Sequence, residues 1–216
     1  HPDHAAQISS AVPELMVHGL VSGEALSPLL ARADAVVLGP GLGQAAWGLA
    51  LLQKVLDSDQ PKLLDADALN LLAREPMKRD DWILTPHPGE AARLLGTTVQ
   101  QIEADRYAAA REIVAQYGGV CVLKGAGSLV VSDEGVAVCA DGNPGMASGG
   151  MGDLLSGLIG SLLVQGLSSF EAAKTGTALH AKAGDFAAVD GEPGMLASDL
   201  LPWVRALVNG GLDAKL

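Results

Sequence analysis

Along the 216-residue chain, short and uniformly apolar runs alternate with longer segments of helical spacing. Ala35-Val-Val-Leu38, Lys62-Leu-Leu64, Trp82-Ile-Leu84 and Val120-Cys-Val-Leu123 are too short for amphipathic helices and read as buried strands. Between them, Gln44 to Leu56 repeats Trp47, Leu51, Leu52 and Val55 at helical intervals, and short helices are predicted over Ala68–Arg74 and Ala91–Leu95. Val99 to Tyr117 predicts one longer helix with Ile102, Tyr107, Ile113 and Val114 turned inward. Leu129-Val-Val131 and Val136-Ala-Val-Cys139 flank Ser132-Asp-Glu-Gly135, a hairpin signal. Further helices are predicted at about Leu154–Val164, Ser169–Val189 and Leu196–Val208, separated by Gly166 and a Gly191–Gly194 turn. Strands that alternate with helices predict an α/β fold with a mostly parallel sheet, helices on both faces and a late β-hairpin. No repeat or linker interrupts residues 1–216, which therefore read as a single domain.

Composition sharpens this picture in three places. Hydrophobic residues make up 49% of the chain and charged residues 18%, as expected of a folded core, while aromatics are only 3%. The net charge of −11 argues against a nucleic-acid groove but leaves room for a nucleotide held by local N–H groups and one or two cations. Cys121 and Cys139 lie in strand-like runs without zinc spacing and read as thiols of a reducing compartment. No apolar run reaches membrane-spanning length and no signal peptide opens the chain, so a cytoplasmic protein is expected. His1-Pro-Asp-His4 carries no initiator Met and reads like the middle of a connection, which suggests a fragment or processed product.

The chemistry clusters after the strands. Gly39-Pro-Gly-Leu-Gly43, Asp65 to Asn70, Thr85-Pro-His-Pro-Gly-Glu90 and Lys124-Gly-Ala-Gly-Ser128 each follow one, and in an open parallel sheet those ends share one edge where ligands bind. The first loop departs from a dinucleotide fingerprint and reads equally as a tight turn or as bare backbone that a flat ring can approach. Asp67 is a candidate cap for the helix that follows, or a carboxylate near substrate. His87 is fixed between two prolines, and Glu90 either favours a helix dipole or holds a hydrated Mg²⁺. The Lys124 loop lacks Walker order yet suits a nucleotide phosphate or ribose. His180, within an Ala-rich helix, reads as a satisfied structural histidine.

Asn143-Pro-Gly-Met-Ala-Ser-Gly-Gly-Met-Gly-Asp153 stands directly before the apolar helix that opens at Leu154. Glycines there let backbone N–H groups turn toward an anion, and the helix adds its positive end. A carboxylate at the rim of such a hole repels phosphate, so Asp153 needs another reason: removal of a proton from a hydroxyl about to attack a phosphoryl group, or plain helix capping.

Taken together, GPGLG at 39–43, LLDADALNLL at 63–72, LTPHPGEAARLLG at 84–96, LKGAGSLV at 123–130 and NPGMASGGMGDLLSG at 143–157 resemble the ADP-dependent NAD(P)H-hydrate dehydratases, a branch of the ribokinase-like superfamily. The similarity runs from about Pro13 to Val208. It implies repair of hydrated NADH and NADPH (NADHX and NADPHX): a nucleotide, ADP or ATP with Mg²⁺, phosphorylates the ring hydroxyl, and phosphate is then eliminated. By motif, Asp153 would be the general base, with Gly149, Gly150, Met151 and Gly152 forming the anion hole. Lys124, Gly125, Ala126, Gly127 and Ser128, with Asn143, Gly149 and Gly152, would line the nucleotide site. Gly41, Gly43 and His87 would face the hydrated nicotinamide, and Glu90 the magnesium. The resemblance also implies a homotetramer, for which the Ala172–Ala188 face is a candidate surface that equally suits packing within the domain, and an epimerase domain as partner in the same polypeptide. A further N-terminal βαβ portion of the family fold is not found in this sequence. A vitamin-precursor kinase of the same superfamily, or a nucleotide-binding protein without turnover, would share most of these motifs.

Overall fold

The computed structural model describes residues 1–210, in which β1 (Val36–Leu38), β2 (Lys62–Leu64), β3 (Trp82–Leu84), β4 (Val120–Leu123), β5 (Ser128–Ser132) and β6 (Gly135–Cys139) join in chain order into one sheet. β1 to β4 run parallel, and β5 and β6 are antiparallel additions at one edge. Ten α-helices surround the sheet: α1 (Pro2–Ala11), α2 (Ser27–Leu30), α3 (Ala46–Leu56), α4 (Ala66–Leu72), α5 (Pro88–Leu94), α6 (Val99–Ala104), α7 (Arg106–Tyr117), α8 (Met151–Val164), α9 (Ser169–Ala187) and α10 (Leu201–Val208). None of them is long and apolar enough to cross a membrane.

Side chains alternate across each strand, so the two faces of the sheet carry separate cores. Leu64, Leu84 and Leu123 pack with α3 to α7 on one face. Leu63, Ile83 and Val122 point the other way, into Leu155 and Ile159 of α8 and Ala172 and Ala173 of α9. Burial on both faces explains why β3 and β4, and β2 after Lys62, carry continuous apolar runs rather than a polar alternation. Small residues on α9 let it lie close to α8: a methyl on Gly176 would meet the Ile159 side chain at 2.6 Å. The Ala-rich stretch is therefore an internal face, with Ala172, Ala173, Ala181 and Ala183 buried within the chain.

Several boundaries move from their expected places, each for a local reason. The segment from Val99 to Tyr117 is two helices, because the Asp105 backbone leaves helical geometry and its carboxylate caps the Ala108 N–H at 2.9 Å. Tyr107, one residue into the second helix, is exposed rather than inward. Asp65, not Asp67, caps α4, and α5 opens at Pro88, a residue preorganised for a first turn. The last predicted helix opens as a 3-10 turn over Ala197–Leu200 before α10.

Lys62 is fully buried at the start of β2, where its ammonium donates to Asp81 Oδ2 at 2.7 Å and the Ser58 carbonyl at 3.0 Å. Arg79 adds two bonds to the same carboxylate, at 2.8 and 2.9 Å. The Arg79 and Lys62 donors hold the Asp81 carboxyl well below the usual carboxylate range, against the opposing effect of burial. An Asp81→Asn variant strands the buried ammonium and should lose about 3 kcal/mol of stability. Because the folded carboxyl titrates below its unfolded value, its contribution is present above about pH 4 and lost as pH falls further. Urea unfolding across that range should show a shallower acid limb in the variant than in the parent chain.

Candidate active site

The four loops that follow the parallel strands meet at one edge of the sheet. Gly39 lies against the Asp65 backbone so closely that a methyl there would stand 1.7 Å from the Asp65 carbonyl oxygen. The first glycine of GPGLG is thus required by packing. Gly41 and Gly43 also have left-handed φ values of 66° and 72°, but open space beside them, which leaves their backbone accessible. Asp67 ties this loop down by accepting from the Gly43 N–H at 2.9 Å and the Gln44 amide at 3.0 Å.

Lys124, at the end of β4, reaches across to β2. Its Nζ lies 2.7 Å from Asp65 Oδ1 and 3.8 Å from Glu90 Oε2. Ser156 of α8 donates to Asp65 Oδ2 at 2.8 Å, which brings the start of α8 over the same edge. A methyl on Gly152 would come 3.2 Å from the Lys124 ammonium. Gly152 therefore admits the cation beneath the first turn of the helix.

The start of α8, like those of α2, α3 and α10, has no side-chain cap. Side chains cap α4, α5, α6, α7 and α9, through Asp65, His87, Thr98, Asp105 and Ser168. At α8 the N-cap is Gly150, in the left-handed region at φ 84°, and no side chain accepts from the first-turn N–H groups. Those donors and the helix dipole face outward above an ammonium, an arrangement that suits phosphate. Gly149 has nothing within 4 Å of where a methyl would sit, so its backbone is open to a ligand as well. Asp153 lies in this first turn, exposed and with no hydrogen-bond partner among the described residues. It is not a cap. An unengaged carboxylate beside an anion hole can accept a proton from a neighbouring hydroxyl.

His87 and Glu90 form a reciprocal cap on α5. The ring Nδ1 accepts from the Gly89 N–H at 2.9 Å, which places the neutral-ring proton on Nε2, 3.5 Å from Glu90 Oε1. The ring itself is about half exposed, rigidly held and available to a ligand. Glu90, by contrast, is 5% exposed, and its Oε2 accepts the His87 N–H at 2.8 Å. Glu90 is thus engaged with the His87 backbone, and a hydrated Mg²⁺ would meet it through bound water. No group of three or more His, Cys, Asp or Glu side chains among the described residues is placed to hold a metal ion.

The Lys124–Ser128 loop turns at Gly125 and Gly127 and is closed by Ser128, whose hydroxyl donates to the Gly125 carbonyl at 3.1 Å. Arg106 of α7 supports it from behind, donating to the carbonyls of Ala126, Leu123 and Lys124 at 2.7, 3.1 and 3.3 Å. Nothing in the sequence around Arg106 signals this role. Ser156 is more legible, a lone hydroxyl on the apolar face of α8. Asn143 is occupied elsewhere: its amide donates to Asp185 at 3.1 Å and its oxygen accepts from the Gly145 N–H at 3.1 Å. These bonds hold it at the approach to the glycine run. His180 is buried, but its Nε2 has no partner among the described residues, which corrects the expectation of a satisfied ring. Burial lowers its pKa to about 4, with the Lys124 ammonium acting in the same direction and the Met151 backbone opposing.

The family model described as NAD(P)H-hydrate dehydratase matches residues 1–204. A bifunctional NAD(P)H-hydrate repair enzyme from Coxiella burnetii is 53% identical over 210 residues, covering 96% of this chain and 43% of that protein. An ADP-dependent (S)-NAD(P)H-hydrate dehydratase from Neisseria meningitidis is 43% identical over 215 residues, covering 94% of this chain and 71% of its own length. This chain thus spans less than half of the bifunctional relative. Among solved structures, the ADP/ATP-dependent NAD(P)H-hydrate dehydratase of Bacillus subtilis, co-crystallised with ATP and Mg²⁺, superposes with a TM-score of 0.84 at 27% identity. That match covers 97% of this chain and 78% of the solved one, so the ribokinase-like fold extends over nearly all of the sequence.

The buried imidazole gives a test of this end of the molecule. The folded pKa of His180 lies below the ordinary histidine value of about 6.5, so the stability from keeping it neutral is complete above that pH and falls away toward pH 4. Unfolding free energy should decline over this window in the parent chain and decline less in His180→Asn. An imidazole NMR titration with its midpoint near 6.5 would contradict the burial.

Proposed function

The chain belongs to the NAD(P)H-hydrate dehydratase family, and from that premise we propose that it dehydrates NADHX and NADPHX with the terminal phosphoryl group of ADP. The observation that carries this reading is the start of α8, where first-turn N–H groups without a side-chain cap stand over the Lys124 ammonium and beside the unengaged Asp153. In this reading Asp153 takes the proton of the ring hydroxyl as its oxygen attacks the terminal phosphorus, and AMP leaves. Gly149, Gly150, Met151 and Gly152 present their N–H groups to the charge that develops on the transferring oxygens. Hydroxide is a poor leaving group, and phosphorylation replaces it with phosphate. The ring nitrogen lone pair then expels phosphate while the neighbouring carbon loses a proton, which restores the reduced nicotinamide.

The remaining loops divide the ligands between them. Gly125, Ala126, Gly127 and Ser128 carry the nucleotide, on a loop that Arg106 braces, and Lys124 at the head of the loop meets the transferring phosphoryl group. Gly41, Gly43 and His87 face the nicotinamide, where open glycine backbone and a fixed half-exposed ring suit a flat ligand. Magnesium would enter with the nucleotide, and Glu90, engaged with the His87 backbone, would meet it through bound water. The hydroxyl-bearing carbon is stereogenic and one base faces it, so an epimerase activity is a natural partner, in keeping with the bifunctional names of the relatives.

Incubation of the chain with hydrated NADH and ADP should restore nicotinamide absorbance and release AMP and phosphate. Asp153→Asn should lower kcat by on the order of 10³-fold, with nucleotide affinity little changed. Mass spectrometry that finds a stable phosphoester instead of phosphate and NADH would replace this reading with that of a small-molecule kinase.

A further inference from the structure

Asp65 is 1% exposed and touches three parts of the site. Its Oδ1 accepts from the Ala66 N–H at 2.9 Å and from Lys124 Nζ at 2.7 Å, and its Oδ2 accepts from the Ser156 hydroxyl at 2.8 Å. One carboxylate thereby joins the start of α4, the end of β4 and the second turn of α8. The adjoining backbone is unusual too. Ala66 has φ 46° and is the one non-glycine residue with positive φ among the described residues. Such a conformation costs on the order of 1 kcal/mol and persists where surrounding contacts fix it. Here the fixing contacts are the Asp65 side chain, turned inward to Lys124, and the Asp65 carbonyl, pressed against Gly39.

We propose that Asp65 is a positioning residue for phosphoryl transfer, setting through Lys124 and Ser156 where the ammonium stands relative to the first turn of α8. The proposal rests on the dehydratase reading above. A lysine side chain has four rotatable bonds, and a free ammonium would follow whatever anion arrived. Held 2.7 Å from a buried carboxylate, it is fixed before the ligand binds, and its charge is largely offset in the resting site. It therefore adds little to ground-state nucleotide binding, and its interaction is reserved for charge that builds on the transferring phosphoryl group. Gly152 belongs to the same device, because a methyl there would press on Lys124 Nζ at 3.2 Å and lie 3.7 Å from Asp65 Oδ2.

This assignment predicts effects of opposite sign. Asp65→Asn keeps the shape of the side chain but releases the ammonium from its carboxylate. Turnover of hydrated NADH should then fall by on the order of 10²-fold through misplacement. ADP affinity, read by calorimetry, should tighten by a few-fold as a less compensated cation meets the anion. In a Lys124→Met background the same substitution should change neither quantity. Thermal melts establish that each variant is folded. If the double variant does not fold, Ser156→Ala supplies the second arm, with kcat expected to fall several-fold at unchanged ADP affinity; an unchanged kcat there overturns the assignment. Parallel loss of ADP affinity and turnover in folded Asp65→Asn, or an equal loss in the Lys124→Met background, also overturns it. Should the parent chain bind ADP but leave hydrated NADH untouched, the dehydratase reading fails alone. The ADP arms then decide Asp65, by tightening that depends on Lys124 or by its absence.

Discussion

The site depends on an ion pair between residues 59 positions apart, buried Asp65 at the end of β2 and partly buried Lys124 at the end of β4. A parallel sheet delivers its strand ends to one edge but does not dictate how the loops beyond them sit. The 2.7 Å contact does so across the intervening β3, and Ser156 carries the constraint into α8. Leaving either charge of such a pair alone in the interior is far more costly than forming the pair, so the loops cannot readily separate. Arg106 adds a second fastening by gripping the carbonyls of the Lys124 loop from its other side.

Glycines serve this arrangement in two distinct ways. Gly39 and Gly152 make room, the first for the Asp65 carbonyl and the second for the Lys124 ammonium. Gly41, Gly43 and Gly149 have nothing close to where a side chain would begin, so no internal packing demands their smallness. Bare backbone that faces open space at a strand-end crevice is what a ligand approaching within hydrogen-bond distance needs. The same residue type thus separates the parts that build the crevice from the parts that line it.

Much of the fold was legible because burial on both sheet faces leaves uninterrupted apolar runs, and those runs located the strands. Helix boundaries were less legible, since they turn on side-chain hydrogen bonds: Asp105 breaks one expected helix by capping the next, and Asp65 displaces Asp67 as a cap. The convergence of the loops was readable from their common position after strands. Their internal bonds were not. Lys124 and Glu90 were legible as charges at the crevice, but a sequence does not show that Lys124 lies against Asp65 or that Glu90 accepts from the His87 N–H. The bond from the Asn143 amide to Asp185 is hidden from the sequence for the same reason. Arg106 carried no signal at all, as its partners are backbone carbonyls that any sequence supplies.

The electrostatics of the crevice follow from this accounting of partners. A chain of net charge −11 sets Asp65 and Glu90 against the Lys124 ammonium and turns the Arg106 guanidinium to backbone carbonyls, so the side chains of the crevice offer a nucleotide little free positive charge. Attraction must come from groups that carry no formal charge, and the uncapped N–H groups at the start of α8 are the donors placed to supply it. Oriented dipoles of this kind need no reorganisation as charge moves from attacking to leaving oxygen, whereas a mobile cation would relax around the ground state. Holding the ammonium against Asp65 gives it the same property. The crevice therefore favours a phosphoryl group in transit over one at rest, and the negative charge around Lys124 is part of how it does so.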